Sequence, residues 1–488
     1  MPQAKFLHGS IFRHIVVMSS TNAIGLTALF LVDLIDLFFI SLLGETELAA
    51  AVGYAGSISF FTTSIAIGIS ISMTALVSKA IGQKKREEAK RLATSIAMFG
   101  CLLTSVFCAI IWWFVPELLS LIGAKGETHD YAVDYLRILV PSLPVLCLAM
   151  NMGAALRSVA DAKRAMYSTL TGGAVNAVLD PIFIFSLAMG IHGAAVASVI
   201  ARFAVLAVSL SGVMNKHRLL APLNFKAMWQ DMPAIFKVAG PAMITNVATP
   251  FGNAFVTSVI AQFGDGYVAG WAVVGRILPV AFGMIFALSG AIGPIIGQNY
   301  GANQFDRVRG TLNESLKFAT LYVLVAAMLL AFSQDFIVQG FGITGDGALI
   351  VRTFCQAIAF TFVFTGAQFV ANASFNNLGF ARYSTYVNVG KSTLGTFPFV
   401  YFGAHWFGPQ GVLYGQALGA TIFGCFAAIL AYRLVNRLQD EYQVNEEETE
   451  DEPVESAVPL TPFCSSRVYM CADAEELQQA PVENKPLH

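Results

Sequence analysis

Charged residues are scarce in this sequence, and their scarcity is the first indication of its class. They make up 12% of the 488 residues, whereas hydrophobic residues make up 56% and the mean hydropathy is +0.64. Soluble domains usually carry about a quarter charged residues. The composition therefore excludes a large soluble domain and predicts a protein that crosses the lipid bilayer many times.

Sequence motifs of enzymes and cofactor sites are also missing. There is no glycine-rich phosphate loop, the seven histidines form no metal-ligand cluster, and the seven cysteines show no metal or redox spacing. The first apolar run, 11–43, is too long for a cleavable signal peptide. We therefore expect no enzyme, cofactor or metal, and no nucleic-acid partner.

The acidic residues are concentrated at the C-terminal end. Residues 439–488 hold 13 of the 31 acidic residues but 2 of the 29 basic ones, so the rest of the chain has 18 acidic and 27 basic residues. The segment lacks apolar periodicity, and we predict that it is an acidic, disordered tail.

Apolar runs of about twenty residues or more predict twelve transmembrane helices. They lie near 11–43, 47–78, 92–116, 130–156, 164–187, 191–214, 233–263, 266–299, 311–334, 346–375, 381–404 and 409–438. Basic residues follow every second span, and the alternate loops carry almost only acids. This pattern predicts a multi-pass cell-membrane protein, in the inner membrane of a Gram-negative source, with both termini in the cytoplasm.

The two halves of the sequence are related by an internal repeat of about 217 residues. Ala80-Ile-Gly-Gln83, for example, recurs as Ile295-Ile-Gly-Gln298, and a basic loop follows each copy. Each repeat has an even number of spans, which predicts an all-α fold of two six-helix bundles related by a pseudo-twofold axis along the membrane normal. The expected domains are an N-lobe, a cytoplasmic linker, a C-lobe and the tail, with the ranges 1–214, 215–232, 233–438 and 439–488.

A small set of polar residues interrupts the apolar spans of the first half. Asn176 and Asp180 lie four apart and face one side of a helix. A carboxylate within an apolar span is costly, so it indicates function. At about 1.5 Å per residue, four residues share a layer roughly 10 Å below the outer surface. These four are Asp36, Tyr135, Asp180 and Ser198.

One turn deeper lie Asp33, Asn176 and Arg202. We predict that Asp33 and Arg202 form a structural ion pair, because a lone arginine on an apolar helix is usually a counter-ion. Asp36 and Asp180 are then the carboxylates that take up and release a proton.

The second half has no such carboxylates. The repeat places Val256 opposite Asp36 and Phe397 opposite Asp180, and the spans are rich in Phe, Asn and Gln. Aromatic and amide walls suit amphipathic or cationic organic molecules. The candidate residues of the substrate cavity are Arg202, Arg276, Lys391, Gln368 and Asn372.

Three motifs in this pattern resemble the multidrug and toxic compound extrusion (MATE) family over about residues 10–438. They are Asp36-Leu-Phe-Phe-Ile-Ser-Leu-Leu-Gly44 followed by Leu48-Ala-Ala, Ala154-Ala-Leu-Arg157 with Asp161-Ala-Lys163, and Asn176 with Leu179-Asp-Pro181. The second half, whose acids lie only near the predicted span ends, is similar to the DinF-like, proton-coupled branch. The resemblance implies a monomeric antiporter that exports drugs, confers antibiotic resistance and uses a cation site. The matching positions of that site are Asp36, Tyr135, Asn176, Asp180 and Ser198.

Three alternatives remain open on the sequence. Sodium can replace the proton as coupling ion, because Asp36, Asn176 and Asp180 offer oxygen ligands for Na⁺. A flippase for lipid-linked oligosaccharides shares the doubled helical plan. A membrane enzyme or receptor is the alternative from another class, and it leaves the one-sided carboxylate layer unexplained.

Overall fold

The computed structural model describes residues 4–41, 43 and 46–451 of the chain. These residues form helices and short connections, with no β-strand among them. A 3₁₀ turn, Lys5–Leu7, precedes the first long helix. The expected all-α class is therefore confirmed.

The first half contains seven α-helices. They are α1 Ile11–Ser41, α2 Thr46–Gly82, α3 Arg86–Leu121, α4 Gly126–Leu139, α5 Leu143–Ser158, α6 Ala162–Pro181 and α7 Gly190–Ser211. A 3₁₀ turn, Val140–Ser142, joins α4 to α5, so that the two helices make one membrane crossing. Wider π-helical turns extend α6 over Ile182–Ser186 and α7 over Gly212–His217.

The second half repeats this plan. Its helices are α8 Phe225–Ala261, α9 Asp265–Gly301, α10 Phe305–Gly340, α11 Gly345–Thr353, α12 Ala359–Asn377, α13 Ala381–Ser392 and α14 Phe397–Asp451. A π-helical turn, Phe354–Ile358, joins α11 to α12. Gly408, with φ of 62°, breaks α14, so that α13 and the start of α14 form one crossing and the rest of α14 forms the next.

Within the described residues, ten helical segments are long and apolar enough to span a membrane. The last of them, Ala381–Val444, contains the break at Gly408 and so accounts for two predicted spans. Helix α8 corresponds to the remaining predicted span and carries Pro233, Pro241 and Pro250.

Helix α8 begins at Phe225, inside the predicted linker. Its N-cap residue Asn224 accepts a hydrogen bond from the backbone N–H of Ala227 at 3.1 Å. Two turns later, buried Asp231 pairs with Arg91 of α3 at 3.0 Å and accepts a hydrogen bond from Ser95 at 2.8 Å. A tertiary ion pair thus holds a polar segment in a helix.

The two halves contact each other through helices that correspond in the repeat. Helix α1 packs against α9, and α2 packs against both α8 and α9. Because α8 corresponds to α1 and α9 to α2, this exchange of partners is what a pseudo-twofold relation between the halves requires.

The loops after α2, α5, α7, α9 and α12, together with the helix ends beside them, carry most of the basic residues. We call this side of the molecule the basic face and the opposite side the acidic face. At the basic face, α2 and α9 cross at glycines. A Cβ atom on Gly82 would lie 2.1 Å from the carbonyl oxygen of Gln298, and one on Gly301 would lie 2.2 Å from that of Lys79. Only glycine permits backbones to approach so closely. The halves are therefore tightly packed at this face.

The chain divides into two compact units, Met1–Val435 and Asn436–His488. Helix α14 continues to Asp451, beyond the predicted end of the last span at 438. In the second unit, Arg437 pairs with Glu441 at 2.7 Å. Residues 452–488 of the predicted tail lie outside the described residues.

Candidate functional site

Helix α6 positions the polar centre of the first half. Asn176 and Asp180 lie one turn apart, and Asp180 is fully buried. The side-chain amide of Asn176 donates to Asp36 Oδ1 at 2.6 Å and to Asp180 Oδ2 at 2.8 Å. The structure thus brings together three of the predicted site residues around one amide group.

Small residues allow α6 to approach its neighbours. A Cβ atom on Gly172 would lie 2.2 Å from the Val205 side chain of α7, and one on Gly173 would lie 3.0 Å from Val32 of α1. After Asp180, Pro181 has no N–H group and the helix widens into a π-turn. These local features hold Asp180 at a break in the helix, between α1 and α7.

Tyr135 of α4 and Ser198 of α7 lie beside this polar centre. The Tyr135 hydroxyl lies close to the Ser198 hydroxyl, and Tyr135 also lies within electrostatic range of Asp36 and Asp180. All five residues of the expected cation site therefore lie in one region, which we call the carboxylate centre: Asp36, Tyr135, Asn176, Asp180 and Ser198.

The carboxylate centre has the capacity to bind a cation. The carboxyl groups of Asp36 and Asp180 accept hydrogen bonds from the same amide group, which brings two acidic groups together, and their mutual repulsion favours uptake of a cation. The other oxygen of Asp180, Oδ1, accepts no hydrogen bond within the described part of the chain. Asp36 is half-buried. One member of the pair is thus enclosed, while the other retains some exposure.

The guanidinium group of Arg202 is bound at the junction of α4 and α5. It donates to the Leu139 carbonyl at 3.2 Å and to the Ser142 hydroxyl at 2.7 Å. These bonds satisfy carbonyl and hydroxyl groups where the helix is interrupted. The side chain of Asp33 lies outside the described residues, so its ion pair with Arg202 stays a prediction.

The other predicted cavity residues lie in two separate places in the structure. Gln368 of α12 donates to Asn388 Oδ1 of α13 at 3.0 Å, with Asn372 and Lys391 on the same two helices. Arg276 is exposed and lines a separate groove of about 500 Å³ between α9 and α10. Arg276 therefore does not join Gln368 and Asn372.

Two polar residues with buried contacts were missed on the sequence. Asn388 lies three residues before Lys391 on the same helix and could have been found from this helical spacing. Gln298 accepts a hydrogen bond from the Phe6 N–H at 3.1 Å and donates to the Ser158 carbonyl at 2.7 Å. It joins the N-terminal segment, α5 and α9, which are distant in sequence and give no local signal.

An ion cluster at the basic face joins the start of α6 to the end of α7. Asp161 accepts hydrogen bonds from His217 at 2.8 Å and Lys216 at 2.9 Å. Burial by itself would raise the pKa of Asp161, but these hydrogen bonds outweigh burial and hold the pKa below its ordinary value. The carboxylate is therefore charged at neutral pH and fixes the two helix ends.

Helices that cross the membrane in two repeats, with a polar centre inside one of them, define a polytopic membrane transporter. Residues 23–182 and 241–402 each match the MatE family, one segment in each repeat. The chain belongs to the MatE family, and the protein is a transporter and not an enzyme.

Two relatives span almost the whole chain. An FAD transporter of Shewanella oneidensis is 27% identical over 88% of this chain and 96% of its own. The multidrug export protein MepA of Staphylococcus haemolyticus is 23% identical over 89% of this chain and 96% of its own.

Solved structures show the same fold. The MATE transporter VcmN of Vibrio cholerae in its bent form has a TM-score of 0.83 at 24% identity, covering 88% of this chain and 98% of its own. A MATE transporter in an outward-facing conformation has a TM-score of 0.82 at 21% identity, covering 90% and 98%. The expected fold of twelve transmembrane helices in two bundles is confirmed.

Proposed function

We propose that this transporter is a secondary active antiporter that exports amphipathic organic compounds, cationic drugs among them, in exchange for protons. The observation that carries the proposal is the carboxylate centre, in which the Asn176 amide bridges Asp36 and Asp180 inside the first bundle. Two carboxyl groups brought together by one amide group favour uptake of a proton, because their negative charges repel, and release the proton when their surroundings change.

The orientation of the Asn176 amide supports a proton over Na⁺ as the coupling ion. Its NH₂ group is directed to Asp36 and Asp180, so its oxygen is not available between the two carboxylates. Asn176 could be a ligand of a sodium ion at this point only through its side-chain oxygen. The amide would have to turn over and lose both hydrogen bonds.

The packing between the bundles supports transport by alternating access. The close glycine contacts of α2 and α9 at the basic face are those of a closed end. We propose that this end faces the cytoplasm together with both termini, because basic loops remain on that side. Protonation and release at the carboxylate centre would favour rocking of residues 1–214 against 233–438 about the linker.

The substrate class rests on the relatives and on the composition of the second bundle. Both relatives are named as transporters of organic molecules, one of FAD and the other of multiple drugs. The second bundle provides amide side chains and aromatic contacts, such as the stacked rings of Phe282 and Phe362 at 4.3 Å. We propose a DinF-like monomer that needs no other protein. Flipping of a lipid-linked oligosaccharide is the second candidate, because Lys391 and Arg202 could bind an anionic headgroup.

The decisive experiment imposes a pH gradient and a sodium gradient separately on proteoliposomes that contain the purified protein and a fluorescent cationic drug. We expect the pH gradient to drive accumulation and the sodium gradient to have no effect. Accumulation with the sodium gradient alone would assign Na⁺ as the coupling ion. Movement of labelled lipid without either gradient would favour the flippase.

A further inference from the structure

We propose that the second bundle contains a binding site for the anionic group of an amphipathic organic substrate, formed by Lys391 and buried amide side chains of α12 and α13. This inference rests on the proposed function, since it adds a class of compound for the same transporter. It places recognition of negative charge in the bundle that has no carboxylate centre.

The register of the two helices follows from one hydrogen bond. Gln368 Nε2 lies 3.0 Å from Asn388 Oδ1, and α12 and α13 are consecutive helices that run in opposite directions. Residues three or four apart share a helix face. The polar face of α12 therefore packs against the polar face of α13. The face on α12 contains Gln368, Asn372 and Asn376. The face on α13 contains Ser384, Asn388 and Lys391. Lys391 stands one turn beyond Asn388, toward the acidic face.

Several polar atoms of these faces lack partners although they are buried. Gln368, Asn372 and Asn376 are 3%, 7% and 6% exposed, and Ser384 is fully buried. Gln368 Oε1, Asn372 Oδ1 and Asn376 Oδ1 form no hydrogen bond with the described residues, and neither does Ser384 Oγ. Such atoms are usually satisfied in folded proteins because an unmade hydrogen bond is costly. They therefore point to a ligand with N–H or O–H donors.

Lys391 supplies the positive charge of the site. It is half-buried, and within the described residues its ammonium group forms no ion pair. Helices α12 and α13 carry no acidic residue, and α14 carries none before Asp440. A buried ammonium group is expensive without a counter-ion. A carboxylate, phosphate or sulfonate of a substrate would provide one.

The two bundles would thus recognise opposite charges. An anion would be repelled by the carboxylate centre of the first bundle, whereas Lys391 attracts it to the second. The unpartnered amide oxygens accept hydrogen bonds, so they select an anion that also carries N–H or O–H donors. The site takes an amphipathic anion with such donors.

The test uses two dyes with the same ring system and opposite charge, carboxyfluorescein and a cationic rhodamine. Binding of each dye to purified full-length protein is measured by fluorescence anisotropy. We expect Lys391→Met to weaken carboxyfluorescein binding by roughly tenfold or more, because a charge-assisted hydrogen bond is lost. Rhodamine binding should stay the same, and Lys391→Arg should retain most carboxyfluorescein binding.

The matched control is Lys317→Met on α10, which removes the same charge from an exposed lysine paired with Glu314 at 2.8 Å. It should change neither affinity by more than about twofold. If wild-type protein does not bind carboxyfluorescein, or if Lys391→Met weakens both dyes equally, the anion site is wrong. If carboxyfluorescein binds through Lys391 while a pH gradient drives neither dye, the proposed function fails and the site stands.

Discussion

Asn176 bridges the two carboxylates of the first bundle. Its amide donates to both, at 2.6 Å and 2.8 Å, and keeps Asp36 and Asp180 together. Asp180 is enclosed, whereas Asp36 is half-buried. In the proposed mechanism, a proton taken up through Asp36 reaches Asp180 without a change in the helix positions.

Replacing Asp180 by Asn tests the role of the carboxylate. We expect Asp180→Asn to abolish pH-driven efflux, since an amide does not titrate. The protein should remain folded, with a stability loss within about 2 kcal/mol, because the amide keeps the size of the side chain and can donate to Asp36. Efflux in proteoliposomes and the melting temperature measure the two effects.

The control for this change is Asp335→Asn on α10. Asp335 is exposed and pairs with Arg352 at 2.9 Å, so its loss should leave efflux near the wild-type rate. Undiminished proton-driven efflux by Asp180→Asn would remove Asp180 from the coupling site.

Among the elements, α2 and α9 form the closest contact between the halves. Gly82 and Gly301 lie at the ends of these helices, where each faces a backbone carbonyl of the other helix. A Cβ atom at either position would overlap the facing carbonyl oxygen, so the helices would have to move apart. The glycines therefore permit the closed arrangement at the basic face.

Substitution of Gly82 tests this closure. A Cβ atom there would lie 2.1 Å from the backbone oxygen of Gln298, so Gly82→Ala must move α2 or α9. Overpacking costs typically 1–3 kcal/mol, which corresponds to a change of roughly fivefold to 150-fold in the population of the closed state. We expect slower efflux and faster labelling of a cysteine placed at Ser78.

Gly53 on the same helix provides the matched control. Nothing lies within 4 Å of a Cβ atom added at Gly53, so Gly53→Ala should leave both measurements within about twofold of the parent. Equal labelling of the Gly82 and Gly53 variants would show that closure does not depend on this contact.

The interruptions of the helices differ in how well they could be predicted. Pro181 and Gly408 mark breaks that are visible in the sequence. The π-helical turn at Phe354–Ile358 has no proline or glycine. It depends on how α11 and α12 pack against α9 and α10, which local sequence does not express.

At the scale of the whole molecule, the two bundles have the same fold but different chemistry. The first holds the carboxylate centre. In the second, Val256 is fully buried at the position that corresponds to Asp36, and the Phe397 ring at the position of Asp180 lies 4.2 Å from Phe255. The two repeats thus have the same fold, and the first repeat carries Asp36 and Asp180 where the second carries Val256 and Phe397.

Truncation after Val444 tests the acidic C-terminal segment. Its composition cannot bury enough apolar surface to offset the entropy of ordering. No part of the proposed mechanism requires it, so we expect membrane insertion and efflux to stay within about twofold of the full-length protein at equal expression. Markedly faster or lost efflux would show that the segment regulates transport.

The sequence by itself determined the class, the twelve spans and the carboxylates of the first half. Hydrophobic length and the cost of burying charge are local properties, and they can be read from residues such as Asp36 and Asp180 without coordinates. The tertiary structure decided which polar groups meet. The amide of Asn176 between two carboxylates, Arg202 on the Leu139 carbonyl, and Gln298 between Phe6 and Ser158 all depend on contacts between helices far apart in the chain. Such contacts follow from packing in three dimensions, which periodicity along one helix does not specify.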